Sequence, residues 1–248
     1  MINRSSPILE IKNVSKTFKT NSLFKKNEGY KVLSNISLEL TKGDIFAIIG
    51  QSGSGKTTFA KILAGIINYD SGQIYLNKKK LNQCSINNIQ MIFQNPLSSF
   101  DPRFSIIDSI LEPLKYFKNL ENEDEVIKLI SMVDLETKLL SRYPHQLSGG
   151  QLQRAAIVRA LSTEPEVLVC DEITSALDAS SKLKILDLLV KINQNSLKTI
   201  IFITHDLDSV KYICNKTMVL RNGKVVEQGS TEKIINNPES NYTKELFL

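Results

Sequence analysis

The run IFAII, residues 45–49, is apolar at every position, and the nine residues after it, GQSGSGKTT, hold three glycines, a lysine and two threonines. No other feature restricts the fold as strongly. Five apolar residues in a row suit a strand covered on both faces. From Lys56 the period changes, and Phe59, Ile62, Leu63 and Ile66 recur at helical steps until Gly65 and the turn NYDSG end the element. The segment is therefore a strand, a glycine-rich turn and a helix. Three close glycines carry an entropic cost on folding, so the turn answers to something other than stability.

The spacing Gly50-x-x-Gly53-x-Gly55-Lys56-Thr57 fits G-x-x-x-x-G-K-[ST] in the strand-to-helix context that this pattern requires. A triphosphate has to be wrapped by backbone N–H groups, here those of Gly50, Gln51, Ser52, Gly53, Ser54 and Gly55, and a Cβ would hold the backbone away. The helix beginning near Lys56 aims its unpaired N–H groups at the phosphates. Lys56 is expected to reach the β- and γ-phosphates, Thr57 to ligate Mg²⁺, and Thr58 to help hold the α-phosphate.

A second polar site follows another apolar strand. VLVCDE ends in Asp171 and Glu172, 115 residues beyond Lys56. Carboxylates at a strand's C-terminal end are poorly placed for a core but well placed beside a phosphate loop at the same sheet edge. Asp171 is expected to bind Mg²⁺ and Glu172 to polarise an attacking water. Taken alone, the pair would serve equally as an acidic helix N-cap.

The rest of the chain supplies an α/β frame. With 248 residues, 42% of them hydrophobic, it can form one large α/β domain or a core with an inserted subdomain. Residues 7–47 read as short strands separated by polar turns such as TNSLFKKNEG. Strand signals vanish from Asn95 to Pro144, where DSILEPLKYFKNL and EDEVIKLISMVDL carry helical periodicity. After that, QLQRAAIVRALS, EVLVCDE, SSKLKILDLLVKINQN and KTIIFITHD alternate helix and strand, the pattern of a parallel sheet. A net charge of +5 suits an anionic ligand but falls far short of a nucleic-acid footprint, and Lys78–Lys80 reads as a solvated turn. Cys84, Cys170 and Cys214 are odd in number and lack metal spacing, which favours a reducing compartment over a disulfide framework. The start lacks a signal-peptide core, and no apolar run nears the roughly 20 residues that span a bilayer. A cytosolic location follows, and any membrane role needs a partner that spans.

LSGGQ, Leu147 to Gln151, opens the helix QLQRAAIVRAL about 20 residues before Asp171. Ser148 is a natural N-cap, and Gly149 and Gly150 bare a second anion-binding helix end. With these residues the chain resembles, over nearly its whole length, the ATP-binding subunits of ABC transporters. The resemblance implies an ABC ATPase fold: a phosphate-loop core with a mostly parallel sheet, an N-terminal antiparallel β subdomain and an inserted helical subdomain. Residues 1–94 and about 163–248 would form the nucleotide core, and about 95–162 the helical subdomain carrying the signature. It also implies ATP and Mg²⁺ as cofactors and a head-to-tail dimer, in which Ser148, Gly149, Gly150 and Gln151 of one subunit cap the ATP held by the other.

Further positions carry over from the same family. Gln94, at the end of MIFQ, matches the glutamine that touches Mg²⁺ and water; alone it is an ordinary polar strand terminus. Ser175, Ala176, Leu177 and Asp178 match the loop that crosses the dimer interface. His205, in FITHD, matches the switch histidine at the γ-phosphate, and Phe18, with Tyr30 as second choice, the aromatic that stacks on adenine. His145 suits packing better than chemistry.

FQNPLSSFDPR, residues 93–103, resembles the oligopeptide/dipeptide/nickel importer group and, with Phe100 and Arg103 exposed, is expected to dock on a membrane permease. Peptide importers often carry a further C-terminal region after a YTK-like segment, whereas this chain ends at NYTKELFL. That favours import of a transition metal such as nickel or cobalt as a chelate, with di- or oligopeptide import as the alternative. The partners implied are a second, different ATPase subunit, two permease subunits and, indirectly, an extracytoplasmic solute-binding protein, with the chain on the cytoplasmic face of the membrane. A soluble non-transport ABC ATPase is the reading from another class; two cassettes in one chain, or a coiled-coil or zinc insertion, would favour it, and neither is present. A regulatory module without turnover would not need Glu172 and His205, and a kinase has no use for LSGGQ.

Overall fold

A computed structural model describes residues 6–19, 29–81, 88–118 and 123–247. Cys84 and most of the turn TNSLFKKNEG lie outside the described residues. The chain packs into two compact units, one made of Met1–Ile86 and Thr199–Leu248, the other of Asn87–Lys198. The second takes in more than the expected helical subdomain at 95–162.

The first unit opens with β1 (Pro7–Lys19) and β2 (Gly29–Thr41), then β3 (Ile45–Ile49), α1 (Lys56–Leu63), β4 (Ser71–Leu76) and β5 (Lys79–Lys80). The order β2-β1-β4-β5 makes an antiparallel sheet in which Phe18 faces Tyr30. The lysine run is only partly a turn. Asn77 and Lys78 take left-handed dihedrals, φ 48° and 64°, and Lys79 and Lys80 then pair back as β5 on Leu76 and Tyr75.

The second unit holds β6 (Ile89–Ile92), α2 (Ile106–Lys118), α3 (Glu123–Met132), α4 (Gly149–Ser162), β7 (Val167–Asp171) and α5 (Ala179–Ser196). β6 and β7 run parallel. Ile106, Ile110 and Leu114 of α2, with Val126 and Ile130 of α3, are buried, as is the apolar side of α4. Arg159 of α4 ties down α2, donating to the Ser109 carbonyl at 2.9 Å and to Glu112 at 3.1 Å.

The chain then completes the first unit with β8 (Thr199–Ile203), α6 (Leu207–Ile213), β9 (Lys216–Arg221), β10 (Lys224–Ser230), α7 (Thr231–Asn236) and α8 (Asn241–Leu246). β3 lies parallel to both β8 and β9, and β10 pairs antiparallel with β9, so the sheet is mixed. All five residues of β3 and of β8 are buried, which explains why neither alternates. Asp44 fixes where β3 begins, accepting from the Thr41 N–H at 2.7 Å, Asn215 at 2.8 Å and Lys216 at 2.8 Å. Burial pushes its carboxyl up, but these hydrogen bonds outweigh that and hold it below its ordinary range. In register, Ile48 sits beside Ile203 and Met218, so the residues after β3 and β8 emerge at one C-terminal edge.

Candidate functional site

In the first unit, that edge carries the glycine-rich turn and His205. The turn's shape comes from this chain as well as from any ligand. At Gly50, φ is 154°, and a Cβ there would lie 2.2 Å from the Leu220 carbonyl oxygen of β9. Gly55, with φ 104°, is the N-cap of α1, and its Cβ would meet the Leu33 side chain at 2.8 Å. Two of the three glycines are therefore demanded by close approach within the fold. Lys56 is 6% exposed, and its ammonium donates to the Gly50 carbonyl at 2.8 Å and the Gln51 carbonyl at 3.0 Å. The Gly223 N–H, in the β9–β10 turn, donates to the Ser54 carbonyl at 2.9 Å and props the loop from behind. Ser54 Oγ is buried with no hydrogen-bond partner among the described residues. Gln51, Ser52, Gly53 and Thr57 are exposed, and Thr58 half-buried.

His205 follows β8 and is exposed, at the edge where the Thr204 N–H donates to the Ile48 carbonyl at 3.4 Å. Phe18 and Tyr30 are cross-strand neighbours, 41% and 64% exposed, and the Lys16 ammonium stands 5.4 Å above the Phe18 ring.

In the second unit, Asp171 ends β7 and is buried. The next residue, Glu172, has a left-handed backbone, φ 49°, uncommon outside glycine and asparagine. Its carbonyl accepts from the Ser175 N–H at 3.1 Å and the Ser175 hydroxyl at 2.9 Å. Its carboxylate Oε2 accepts from Gln94 Nε2 at 3.0 Å, and that amide also lies 3.5 Å from Ser175 Oγ. Gln94, Glu172 and Ser175 thus form one cluster. Ala176 is exposed and Leu177 half-buried; Asp178 is the N-cap of α5, accepting from the Ser180 and Ser181 N–H groups at 3.0 Å each. The Ser181 and Ser180 contacts hold its carboxyl well below the usual range.

Ser148 caps α4 as expected, with an addition the sequence reading missed. Its Oγ accepts from the Gln151 N–H at 3.3 Å while Gln151 Oε1 accepts from the Ser148 N–H at 3.0 Å, a capping box. Beside it, a Cβ on Gly149 would meet nothing within 4 Å among the described residues, and one on Gly150 only Ser181 Oγ at 3.9 Å. Unlike Gly50, these glycines answer to no packing demand. Gly50→Ala is expected to lower the thermal midpoint by several degrees, the overpacking cost of about 1–3 kcal/mol against an immovable carbonyl. Gly149→Ala should leave it unchanged or raise it, since alanine is the better helix former. Thermal unfolding of the two variants side by side checks this; equal losses would contradict it. His145, exposed, stacks on the Tyr143 ring with centroids 5.9 Å apart.

The segment after Gln94 departs from expectation. Asn95 caps the 3₁₀ turn Pro96–Ser99, and Asp101 grips Arg103 through both carboxylate oxygens, which holds the Asp101 carboxyl down at about 2. Phe100 is not exposed; it is 6% accessible, and the apolar side chains facing outward are Leu97 and Phe104. Arg103 is exposed as expected.

The oxygens that Gln94 and Asp171 carry in the second unit, and separately the Thr57 hydroxyl in the first, are of the hard kinds that Mg²⁺ accepts. With Gln94 Nε2 committed to Glu172, its oxygen is the atom left for a cation.

Comparison with known proteins accords with these motifs. The family model described as "ABC transporter" matches residues 33–175. An oligopeptide transport ATP-binding protein, OppF of Streptococcus mutans, is 37% identical across 100% of this chain and 82% of its own length. A dipeptide transport ATP-binding protein, DppF of Haemophilus influenzae, is 34% identical across 99% and 79%. A methionine import ATP-binding protein, MetN of Bacillus subtilis, is 39% identical across 96% and 70%. Among solved structures, the dimeric post-hydrolysis state of the ATP-binding cassette MJ0796 with ADP and Pi superposes with a TM-score of 0.78 at 30% identity, over 90% of this chain and 98% of that one.

Proposed function

Because this chain belongs to the ABC transporter family of ATP-binding proteins, and is the ATP-hydrolysing component of an importer, we propose that the solute it helps to import is a short peptide. One observation carries this: the match to an oligopeptide transport ATPase runs the full length of the chain. Nickel or cobalt import, the first expectation above, is the weaker reading, because the relatives that match nearly the whole chain are named for oligopeptide, dipeptide and methionine transport.

In the proposed cycle the N–H groups of residues 50–55 other than Gln51, whose N–H goes to the Tyr242 hydroxyl, wrap the phosphates, and Lys56 adds the positive charge that a β- and γ-phosphate demand. Mg²⁺, held by Thr57, Gln94 and Asp171, would neutralise phosphate charge. Glu172 takes the proton of the attacking water, His205 contacts the γ-phosphate, and Phe18 stacks on adenine. The bare helix start at Ser148–Gln151 caps the nucleotide of a second ATPase subunit, and Ser175–Asp178 line that interface. That a Cβ on Gly149 would meet nothing within 4 Å among the described residues, and one on Gly150 only Ser181 Oγ, supports this role. No helix among the described residues is long and apolar enough to cross a membrane. In the proposed assembly the chain reaches its solute's path through two permease subunits, at the cytoplasmic face.

The test is phosphate release by the assembled importer in vesicles, with its solute-binding protein loaded with oligopeptide or with a nickel chelate. Stimulation by peptide alone supports the proposal; stimulation by the chelate alone overturns it. The docking face is tested separately. A cysteine at Ser99, beside exposed Leu97, should crosslink to a permease, and crosslinks confined to soluble proteins would remove that surface from the docking role.

A further inference from the structure

Tyr242 lies 191 residues from the phosphate loop in sequence, yet its hydroxyl accepts the Gln51 N–H at 3.2 Å. From this contact we infer that Tyr242 is a positioning residue for nucleotide binding, setting the Gly50–Gln51 peptide that in turn orients Lys56. The inference rests on the ATPase reading above.

The peptide between Gly50 and Gln51 is the joint of the loop. Its carbonyl, that of Gly50, accepts from the Lys56 ammonium at 2.8 Å. Its N–H, facing the other way, is taken by Tyr242. One planar peptide therefore connects the C-terminal helix to the cation that meets the phosphates. Gln51 is itself exposed, so no packing of its own side chain holds that peptide in place.

Tyr242, in contrast, is firmly seated. It is 5% exposed, with the Arg221 guanidinium 4.4 Å above its ring centroid. Arg221 ends β9 directly after Leu220, whose carbonyl presses on Gly50. The start of α8 is pinned from β10, where the two Glu227 carboxylate oxygens accept the Glu239 N–H at 2.8 Å and the Ser240 N–H at 3.2 Å. A side chain held this well can fix a peptide that is otherwise free to tilt.

Tyr242→Phe removes the hydroxyl and keeps the ring, its burial and the Arg221 contact. MgATP affinity is measured by titration calorimetry on the full chain, well below its thermal midpoint, and KM and kcat in the assembled importer. The dissociation constant and KM are expected to rise about threefold to tenfold, the worth of one hydrogen bond, with kcat within about twofold, since the loop grips ground state and transition state alike. A purely structural tyrosine would lower the thermal midpoint and leave the dissociation constant untouched, and that result overturns the inference, as does a fall in kcat at unchanged affinity. If Tyr242→Phe binds like the parent while Lys56→Ala binds at least about tenfold more weakly, the positioning role fails and the ATPase reading stands. If the parent chain binds no MgATP, both fail.

Discussion

Glu172→Gln should retain MgATP and all but stop turnover, with phosphate release falling about 10²–10⁴-fold, the usual loss when a general base is removed. The substitution is nearly isosteric, and the amide oxygen can still accept the Gln94 contact now made at 3.0 Å, so the local cluster has no reason to rearrange. A second consequence is electrostatic. On the proposed role Glu172 faces the γ-phosphate; one charge pair at about 4 Å and an effective dielectric of about 20 is worth on the order of 4 kcal/mol before solvent losses, and the variant would be relieved of that repulsion. ATP should then hold it as a closed dimer with its partner subunit. Size-exclusion chromatography of the paired ATPases with MgATP, run beside a phosphate-release assay, reads both effects. Near-normal release would remove Glu172 from the mechanism. Slow release without a stabilised dimer would leave the base role standing and refute the repulsion argument.

Lys56→Ala should weaken MgATP about tenfold to a hundredfold, the range for charge-assisted hydrogen bonds lost at a phosphate. The ammonium already sits at the loop, bound to the Gly50 and Gln51 carbonyls. Alanine takes the ammonium from both oxygens, of which that of Gln51 keeps the Ser54 N–H at 3.2 Å, and leaves the phosphates without their cation, while the glycines that shape the turn against Leu220 and Leu33 stay in place. Titration calorimetry paired with a thermal melt separates the two effects. Unchanged affinity in a folded variant would contradict the role assigned to Lys56.

Much of this site was legible from local pattern. The change of period at Lys56 located α1, the uniform apolar run located β3, and Ser148 before two glycines located the capped start of α4. Features that depend on distant parts of the chain were not. The clash that makes Gly50 a glycine comes from Leu220, and Tyr242 meets Gln51 across 191 residues, so neither leaves a periodic trace. The helices after His205 are only six or seven residues long, and β10 mixes half-buried with exposed residues, so these elements are too short or too mixed to show a period. Phe100 misled because turn residues surround it, and a turn-rich segment reads as exposed even where one ring points inward. The solute was illegible for another reason: the inference rested on chain length, not on any residue that touches it.

The pairing of β3 bears on how such a chain is made. Both of its strand neighbours, β8 and β9, come from beyond residue 198, so Ile48 waits for Ile203 and Met218. At synthesis rates of about 5–20 residues per second, that delay amounts to roughly 8–30 s. Through that interval a strand apolar on both faces has no sheet to join, while Asn87–Lys198, continuous in sequence, can already gather its own core. The first unit is thus the one most in need of a chaperone on the ribosome, and its phosphate loop is among the last parts of the nascent molecule to take shape.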